Sequence, residues 1–138
     1  MKIFKFVLFL LIIFLLVDYF GRSSLVKEIA NLENPVIFER TEIDSIAQKY
    51  FSLGNTKEQV IDSFKSYGFK VLEESVVPGF HLLDKLKGDC NRCDDIVVGI
   101  YDFKFLYIMP TYRIVIDIGF QNERVVMIKG TYLQHSLP

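Results

Sequence analysis

The sequence predicts an α+β domain that follows an N-terminal membrane helix. A long apolar run opens the chain, two short amphipathic patterns with capping residues occupy residues 41–68, and alternating segments typical of strands follow. This order favours two short helices packed on one face of a three- to four-stranded antiparallel meander. We therefore divide the chain into a signal anchor or signal peptide (residues 1–20), a stalk or linker with a short helix (21–40) and an α+β envelope domain (41–138).

The hydrophobic excess of the chain is concentrated in its first twenty residues, of which seventeen are apolar. The rest has an ordinary globular composition, and about 115 residues suffice for one hydrophobic core. This rest carries 14 basic and 16 acidic residues. A nucleic-acid-binding domain should carry a basic surplus, so we expect no nucleic-acid partner.

The N-terminal run has the length of a membrane-spanning helix. Residues 3–20 would rise about 27 Å as a helix, close to a hydrocarbon thickness of about 30 Å. Lys2 and Lys5 lie at the start of the run, which favours a cytoplasmic N-terminus and export of the rest. The sequence thus predicts a single-pass inner-membrane protein whose C-terminal domain lies in the periplasm.

Two other interpretations of this run stay open. It also fits a cleaved signal peptide, which would leave a secreted or periplasmic domain. The nearest small-residue cleavage site is Gly21-Arg22-Ser23, but residues 18–20, which are acidic or aromatic, suit a peptidase poorly. A buried core helix is the third interpretation.

Capping residues delimit the two predicted helices of the domain. Thr41 with Asp44 resembles a capping box at the start of the first helix, and Thr56 with Gln59 fits one at the start of the second. A shorter pattern over Ser24–Asn34 predicts the helix of the linker. The apolar stripes and terminating glycines of the two domain helices are Ile43, Ile46, Ala47, Tyr50, Phe51 and Gly54, and then Val60, Ile61, Phe64, Tyr67 and Gly68.

The strands follow in sequence order, with patterns over Phe69–Ser75, Asp95–Tyr101, 103–109, Tyr112–Phe120 and Arg124–Thr131. The Asp95–Tyr101 segment is apolar on both faces, as a central strand would be. In the Tyr112–Phe120 segment apolar and more polar residues alternate. The even-numbered residues would lie on a buried face, and the odd-numbered residues, from Arg113 to Gly119, on a solvent-exposed face. This alternation predicts one open sheet face.

The predicted loop over residues 76–94 contains Cys90 and Cys93, whose spacing allows three interpretations. A redox pair normally opens a helix, whereas this motif lies in a polar segment that leads into a strand. A zinc site needs two further ligands, for which His81 is a candidate. The third interpretation is a disulfide, which an exported location permits and which would brace the loop. We expect the disulfide, no metal and no cofactor.

Residues 53–60, LGNTKEQV, resemble the signature of SmpA/OmlA-type (BamE-like) envelope proteins: a Gly, a helix cap, charged residues and a Val that opens the second helix. The strand over 113–120, the turn and residues 123–126 resemble the closing hairpin of that family. The resemblance covers residues 41–131 and implies a compact fold shared with β-lactamase-inhibitor-like domains, which bind other proteins through a sheet face. The chain departs from the family in the long loop 76–94 and in lacking a lipid-bearing Cys.

An aromatic cluster and the predicted open sheet face indicate a protein-binding surface. Exposed aromatic side chains beside Arg and Asp are the usual material of binding hot spots. We predict that this face and the loop 76–94 dock on an envelope protein. The candidate partner-binding residues are Tyr101, Phe103, Phe105, Tyr107, Arg113 and Asp117.

We expect no enzyme, because no Ser lies in a nucleophile-elbow motif and nothing in the sequence pairs His81 with His135. Paired carboxylates could in principle act as a general acid and base. We expect instead that these acids are solvated at strand ends or on the exposed sheet face; they are Asp94, Asp95, Asp102 and Asp117. The predicted function is that of an exported, membrane-anchored inhibitor or immunity protein that binds a toxin or hydrolase. A structural subunit of an envelope assembly complex is the alternative. A thiol-redox protein that uses Cys90 and Cys93 is the alternative of another class.

Overall fold

The computed structural model describes residues 2–32, 41–73, 90–103 and 111–135. In these ranges the elements are α1 (Lys2–Gly21), α2 (Ser24–Ala30), β1 (Thr41–Glu42), α3 (Asp44–Tyr50), α4 (Lys57–Ser66), β2 (Lys70–Glu73), β3 (Asp95–Asp102), β4 (Thr111–Gln121) and β5 (Arg124–His135). The α+β class is confirmed, with an apolar N-terminal helix, short helices and an antiparallel sheet.

The sheet has the strand order β1-β5-β4-β3-β2, and every neighbouring pair is antiparallel. The strands β2 to β5 form the predicted meander, and the two-residue β1 adds to the outer side of β5. A turn at Asn122 and Glu123, both with positive φ, joins β4 to β5. We call the end of the sheet with this turn the distal end, and the end at which β3 stops at Asp102 the proximal end.

The predicted apolar stripe of β4 lies in the core. Ile114, Ile116, Ile118 and Phe120 are 0% exposed and belong to one cluster with buried residues of α2, α3 and α4. A side chain at Gly99 would overlap the ring of Phe64 of α4. Glycine at this position therefore allows α4 to approach β3 closely.

The predicted capping of α4 is confirmed. The Thr56 hydroxyl accepts a hydrogen bond from the Gln59 N–H at 3.3 Å, and the Gln59 side-chain oxygen accepts one from the Thr56 N–H at 2.9 Å. Gly68 directly follows the C-cap residue Tyr67 and has a φ of +81°, as the residue that terminates a helix should. Gly54 also has a positive φ, +83°, but it lies three residues beyond Phe51, the C-cap of the preceding helix. Local sequence chemistry thus sets both ends of this helix.

The predicted start of the preceding helix is wrong. Thr41 lies in β1, and α3 begins at Asp44 after an N-cap residue, Ile43, that makes no side-chain capping bond. The Asp44 carboxylate instead accepts a hydrogen bond from the backbone N–H of Gly130 in β5, at 2.7 Å. The hydrogen-bond donor for the Asp44 carboxylate therefore comes from a distant strand and not from the helix end that the sequence predicts.

The helix predicted inside a linker belongs to the core. Leu25, Val26 and Ile29 of α2 are 0% exposed, because their helical spacing gives an apolar stripe that packs in the main cluster. The Glu28 carboxylate accepts hydrogen bonds from Lys49 and Tyr50 of α3. The segment of the predicted linker over 33–40 lies outside the described residues.

The second face of the sheet is not open at its centre, contrary to the prediction from β4. Ile96 and Val98 are buried there, and half-buried apolar residues of β2, β3 and β4 pack against them. Asp117 is 2% exposed on the same face. Alternation along one strand identifies the two faces but does not show whether both are covered.

Candidate functional site

Two of the predicted partner-binding aromatics lie on the helix-facing side of the sheet. Phe103 is 8% exposed and belongs to the core cluster, and Tyr101 is half-buried against it. Their ring centroids lie 5.2 Å apart, and Phe103 lies 6.1 Å from Tyr132. Burial raises the pKa of both tyrosines. The expectation that Phe103 is exposed is wrong. Phe103 lies an even number of positions from Val97, so its side chain is on the same face of the sheet, which faces the helices.

The other predicted residues do not join them in one exposed patch. Phe105 and Tyr107 lie outside the described residues. The half-buried Arg113 donates to both carboxylate oxygens of Asp102, at 2.6 and 3.2 Å. Asp117 is buried opposite Val98 and Lys129 in the sheet register, so the expectation that it lies on an open face is wrong.

The predicted disulfide is present, with the sulfur atoms of Cys90 and Cys93 1.98 Å apart. The two residues flank a turn just before β3 and do not open a helix. Cys93 is half-buried in the apolar cluster on the second face and lies against Gly119. The disulfide therefore fixes the segment that leads into the central part of the sheet.

The acids that follow the disulfide hold the distal end together. The Asp94 carboxylate accepts a hydrogen bond from the backbone N–H of Asn122, at 2.9 Å. The Asp95 carboxylate accepts one from the Lys57 ammonium, at 2.7 Å. These contacts connect the start of β3 to the β4–β5 turn and to the start of α4.

These contacts surround a groove of about 760 Å³, which we call the distal groove. It is lined by Thr56, Lys57, Glu58, Ile61, Glu73, Asp94, Asp95, Phe120, Asn122 and Glu123. The walls are the first turn of α4, the end of β2, the start of β3 and the β4–β5 turn. Each wall is a regular element or a tight turn, so the groove is held in shape by the fold.

Five carboxylates and a single lysine give the lining of the distal groove its charge. The lysine, Lys57, forms ion pairs with Asp95 at 2.7 Å and Glu73 at 3.1 Å. The hydrogen bond to Asp95 raises the pKa of Lys57, so the lysine stays charged and satisfies two of the five acids. Glu58 and Glu123 remain solvent-exposed. The groove therefore presents negative charge to a binding partner.

The chemistry available to the distal groove is recognition of positive charge. Among the described residues, no group of three or more His, Cys, Asp or Glu side chains is arranged to hold a metal ion. Carboxylates spread over a groove of this size suit the spaced ammonium and guanidinium groups of a protein surface. Sequence reasoning missed this site because its residues come from four separate elements. The one signal was the charged pair Lys57-Glu58 that follows the helix cap.

The second functional region is α1. In the described part of the chain, the segment Ile3–Gly21 is long and apolar enough to cross a membrane or to serve as a signal sequence. It spans 19 residues with a mean hydropathy of 2.6, and none of it is buried against the domain. An apolar helix of this kind needs a nonpolar environment other than the protein core.

Comparison with models of known protein families, with curated proteins and with solved structures gives no significant match for this chain.

Proposed function

We propose that this chain is an exported, membrane-anchored binding protein, without enzymatic activity, that docks on an envelope protein through the distal groove. The observation that carries the proposal is the acidic lining of a groove built at the end of the sheet opposite α1. The occupant that fits is a segment of an envelope protein rich in Lys and Arg. The proposed docking surface is thus the distal groove and not the sheet face; of the loop 76–94, Asp94 lines the groove and residues 76–89 lie outside the described residues.

Charge complementarity supports this choice of partner. Opposite charges on two surfaces accelerate encounter and reject wrong partners, while apolar contacts in the centre supply affinity. The distal groove offers both, because the half-buried Ile61 lies among its carboxylates. Occlusion of a basic surface on a toxin or hydrolase would inhibit it without any catalytic residue. A structural subunit of an assembly complex would use the same contact.

Retention of α1 as an anchor in the inner membrane is part of the proposal, with the domain in the periplasm. Lys2 and Lys5 lie at the end opposite the domain, as the positive-inside rule requires for export. Contacts across the junction also support an uncleaved chain, because Asp18 of α1 pairs with Arg22 and Lys27 of α2 lies near the rings of Tyr19 and Phe20.

Site-specific photo-crosslinking in the envelope of the producing organism tests the proposal. A benzophenone amino acid at position 58 lines the distal groove, and the same probe at the exposed position 48 on α3 is the matched control. We expect a discrete adduct with one envelope protein from position 58 and none from position 48. The crosslinked peptide of the partner should be rich in Lys or Arg.

Charge reversal makes the test specific. Glu123→Lys should abolish the adduct from position 58, whereas Glu42→Lys, which makes the same charge change at the β1 edge, should leave it intact. Equal adducts in the two variants, or equal adducts from the two probe positions, would rule out the distal groove as the docking site.

A further inference from the structure

The link between α1 and the folded domain is two residues long, Arg22 and Ser23. Ser23 caps α2 by accepting a hydrogen bond from the Val26 N–H, and α2 itself is buried in the core. Two residues reach at most about 7 Å even when fully extended. The folded domain therefore starts directly at the end of α1, without a tether that could carry it away.

Arg22 holds the end of α1 against the proximal end of the sheet. Its guanidinium group donates a hydrogen bond to the Asp18 carboxylate one helical turn earlier, at 2.5 Å. The same group lies over the ring of Phe103, 5.0 Å from the ring centroid. One side chain thus contacts both α1 and the residue that follows β3, so the proximal end of the domain is the end beside α1.

The side chains at this junction match the interfacial layer of a bilayer. Tyr19 and Phe20 lie at the end of α1, and the Lys27 ammonium lies 5.4 and 5.9 Å from their ring centroids. Tyr101 and Tyr112 are half-buried at the proximal end of the sheet. Tyrosine is enriched at the headgroup level of membranes, and basic side chains there are attracted to lipid phosphates.

The charges of β2 are distributed in the same sense. In β2, the basic Lys70 pairs with Ile100 toward the proximal end, and the acidic Glu73 pairs with Val97 toward the distal end. Glu73 is one of the five carboxylates of the distal groove, which lies at the end of the sheet opposite α1. A bilayer with anionic lipids would attract Lys70 and repel the carboxylates of the distal groove.

We propose that the proximal end of the domain rests on the headgroup surface of the bilayer that α1 spans, and that the distal groove consequently faces away from it. The inference rests on the anchoring of α1 proposed above and adds a lipid-facing surface and a fixed orientation. The groove then lies at most about 30 Å above the headgroups, because Gln121 lies nine positions beyond Tyr112 along β4, at about 3.3 Å per position. A partner must present its basic segment at that height.

Paramagnetic broadening of NMR signals tests this orientation on the unmodified full-length chain. The chain is reconstituted in nanodiscs of phosphatidylcholine and phosphatidylglycerol with a nitroxide on a fraction of the headgroups. We expect the amide signals of Asp102 and Tyr112 to broaden several-fold more than those of Gln121 and Asn122. The control variant carries a Gly-Ser insertion of about 15 residues between Arg22 and Ser23, with a mean span of roughly 20 Å.

The outcomes separate the two proposals. In the insertion variant the difference between the two ends should disappear, since the domain can then turn and leave the surface. Equal broadening at both ends in the native chain would overturn the orientation while leaving the anchor and the groove intact. A difference that survives the insertion unchanged would also overturn it, because the link would not be its cause. A chain that does not co-elute with the nanodiscs would overturn the anchor and the orientation together.

Discussion

The disulfide sulfur of Cys93 occupies the space beside Gly119 that a side chain at that position would need. Gly119 lies in β4, and a Cβ atom there would also lie 3.3 Å from Met127 of β5. The contact places the disulfide over β4. The absence of a side chain at Gly119 is therefore what allows the disulfide loop to pack on the second face.

We expect Gly119→Ala to lower the free energy of unfolding by about 1–3 kcal/mol, the usual range for overpacking a core. Urea unfolding of the full chain in detergent measures the change. Gly21→Ala is the matched control, because no other atom lies within 4 Å of a Cβ at that position. A penalty that stays the same in a Cys90→Ala, Cys93→Ala background would show that the sulfur is not its cause.

Removal of the disulfide by Cys90→Ser with Cys93→Ser should lower the free energy of unfolding by about 1–2 kcal/mol, because the closed ring is short. The crosslink from position 58 should keep its yield, since neither cysteine lines the distal groove. The same unfolding assay and the crosslinking assay measure the two effects. A double variant with an unchanged free energy of unfolding would contradict a bracing role for the disulfide.

Features set by neighbouring residues could be predicted from the sequence. The capping box of Thr56 and Gln59 and the left-handed Gly68 that ends the helix involve contacts within a few residues, and both are confirmed. The buried stripe of β4 is confirmed as well, because strand periodicity alone assigns residues to one face. The disulfide, which is also present, was predicted from the short spacing of its two cysteines and from the expected oxidising location.

Features set by distant residues could not be predicted in this way. The Asp44 carboxylate accepts a hydrogen bond from the Gly130 N–H, which lies 86 positions away. The local pattern of Thr41 and Asp44 therefore predicted a capping box that does not form. The burial of Asp117 depends on what covers the second sheet face, which a single strand cannot reveal. The distal groove combines acids from four elements whose proximity follows from the sheet register. Only the fold brings Glu73 and Asp95 to one lysine.

Ile29→Ala should lower the free energy of unfolding by about 2–5 kcal/mol, as for other large apolar side chains removed from a core. Ile29 is completely buried although it lies in a segment predicted to be a linker. The exposed Asn31→Ala, two residues later, should change stability by no more than about 0.5 kcal/mol. Urea unfolding measures both variants. Equal stabilities would restore the interpretation of residues 21–32 as a stalk outside the domain.

Glu28→Gln should remove part of the acid sensitivity of the fold. Hydrogen bonds from Lys49 and then Tyr50 lower the pKa of Glu28 in the folded chain. A carboxylate with a lowered folded-state pKa stabilises the fold above its unfolded-state pKa, and this contribution is lost as the pH falls through the folded-state value. The stability difference between wild type and Glu28→Gln should therefore be largest near neutral pH and shrink in acid.

Urea unfolding across that pH range measures this difference, with Lys49→Met as the background that removes the main cause of the pKa shift. Since the pair is partly exposed to solvent, the effect should be modest and should weaken with added salt. The same pH dependence of the Glu28→Gln effect with and without Lys49 would contradict the assignment of the lowered pKa to this contact between α2 and α3.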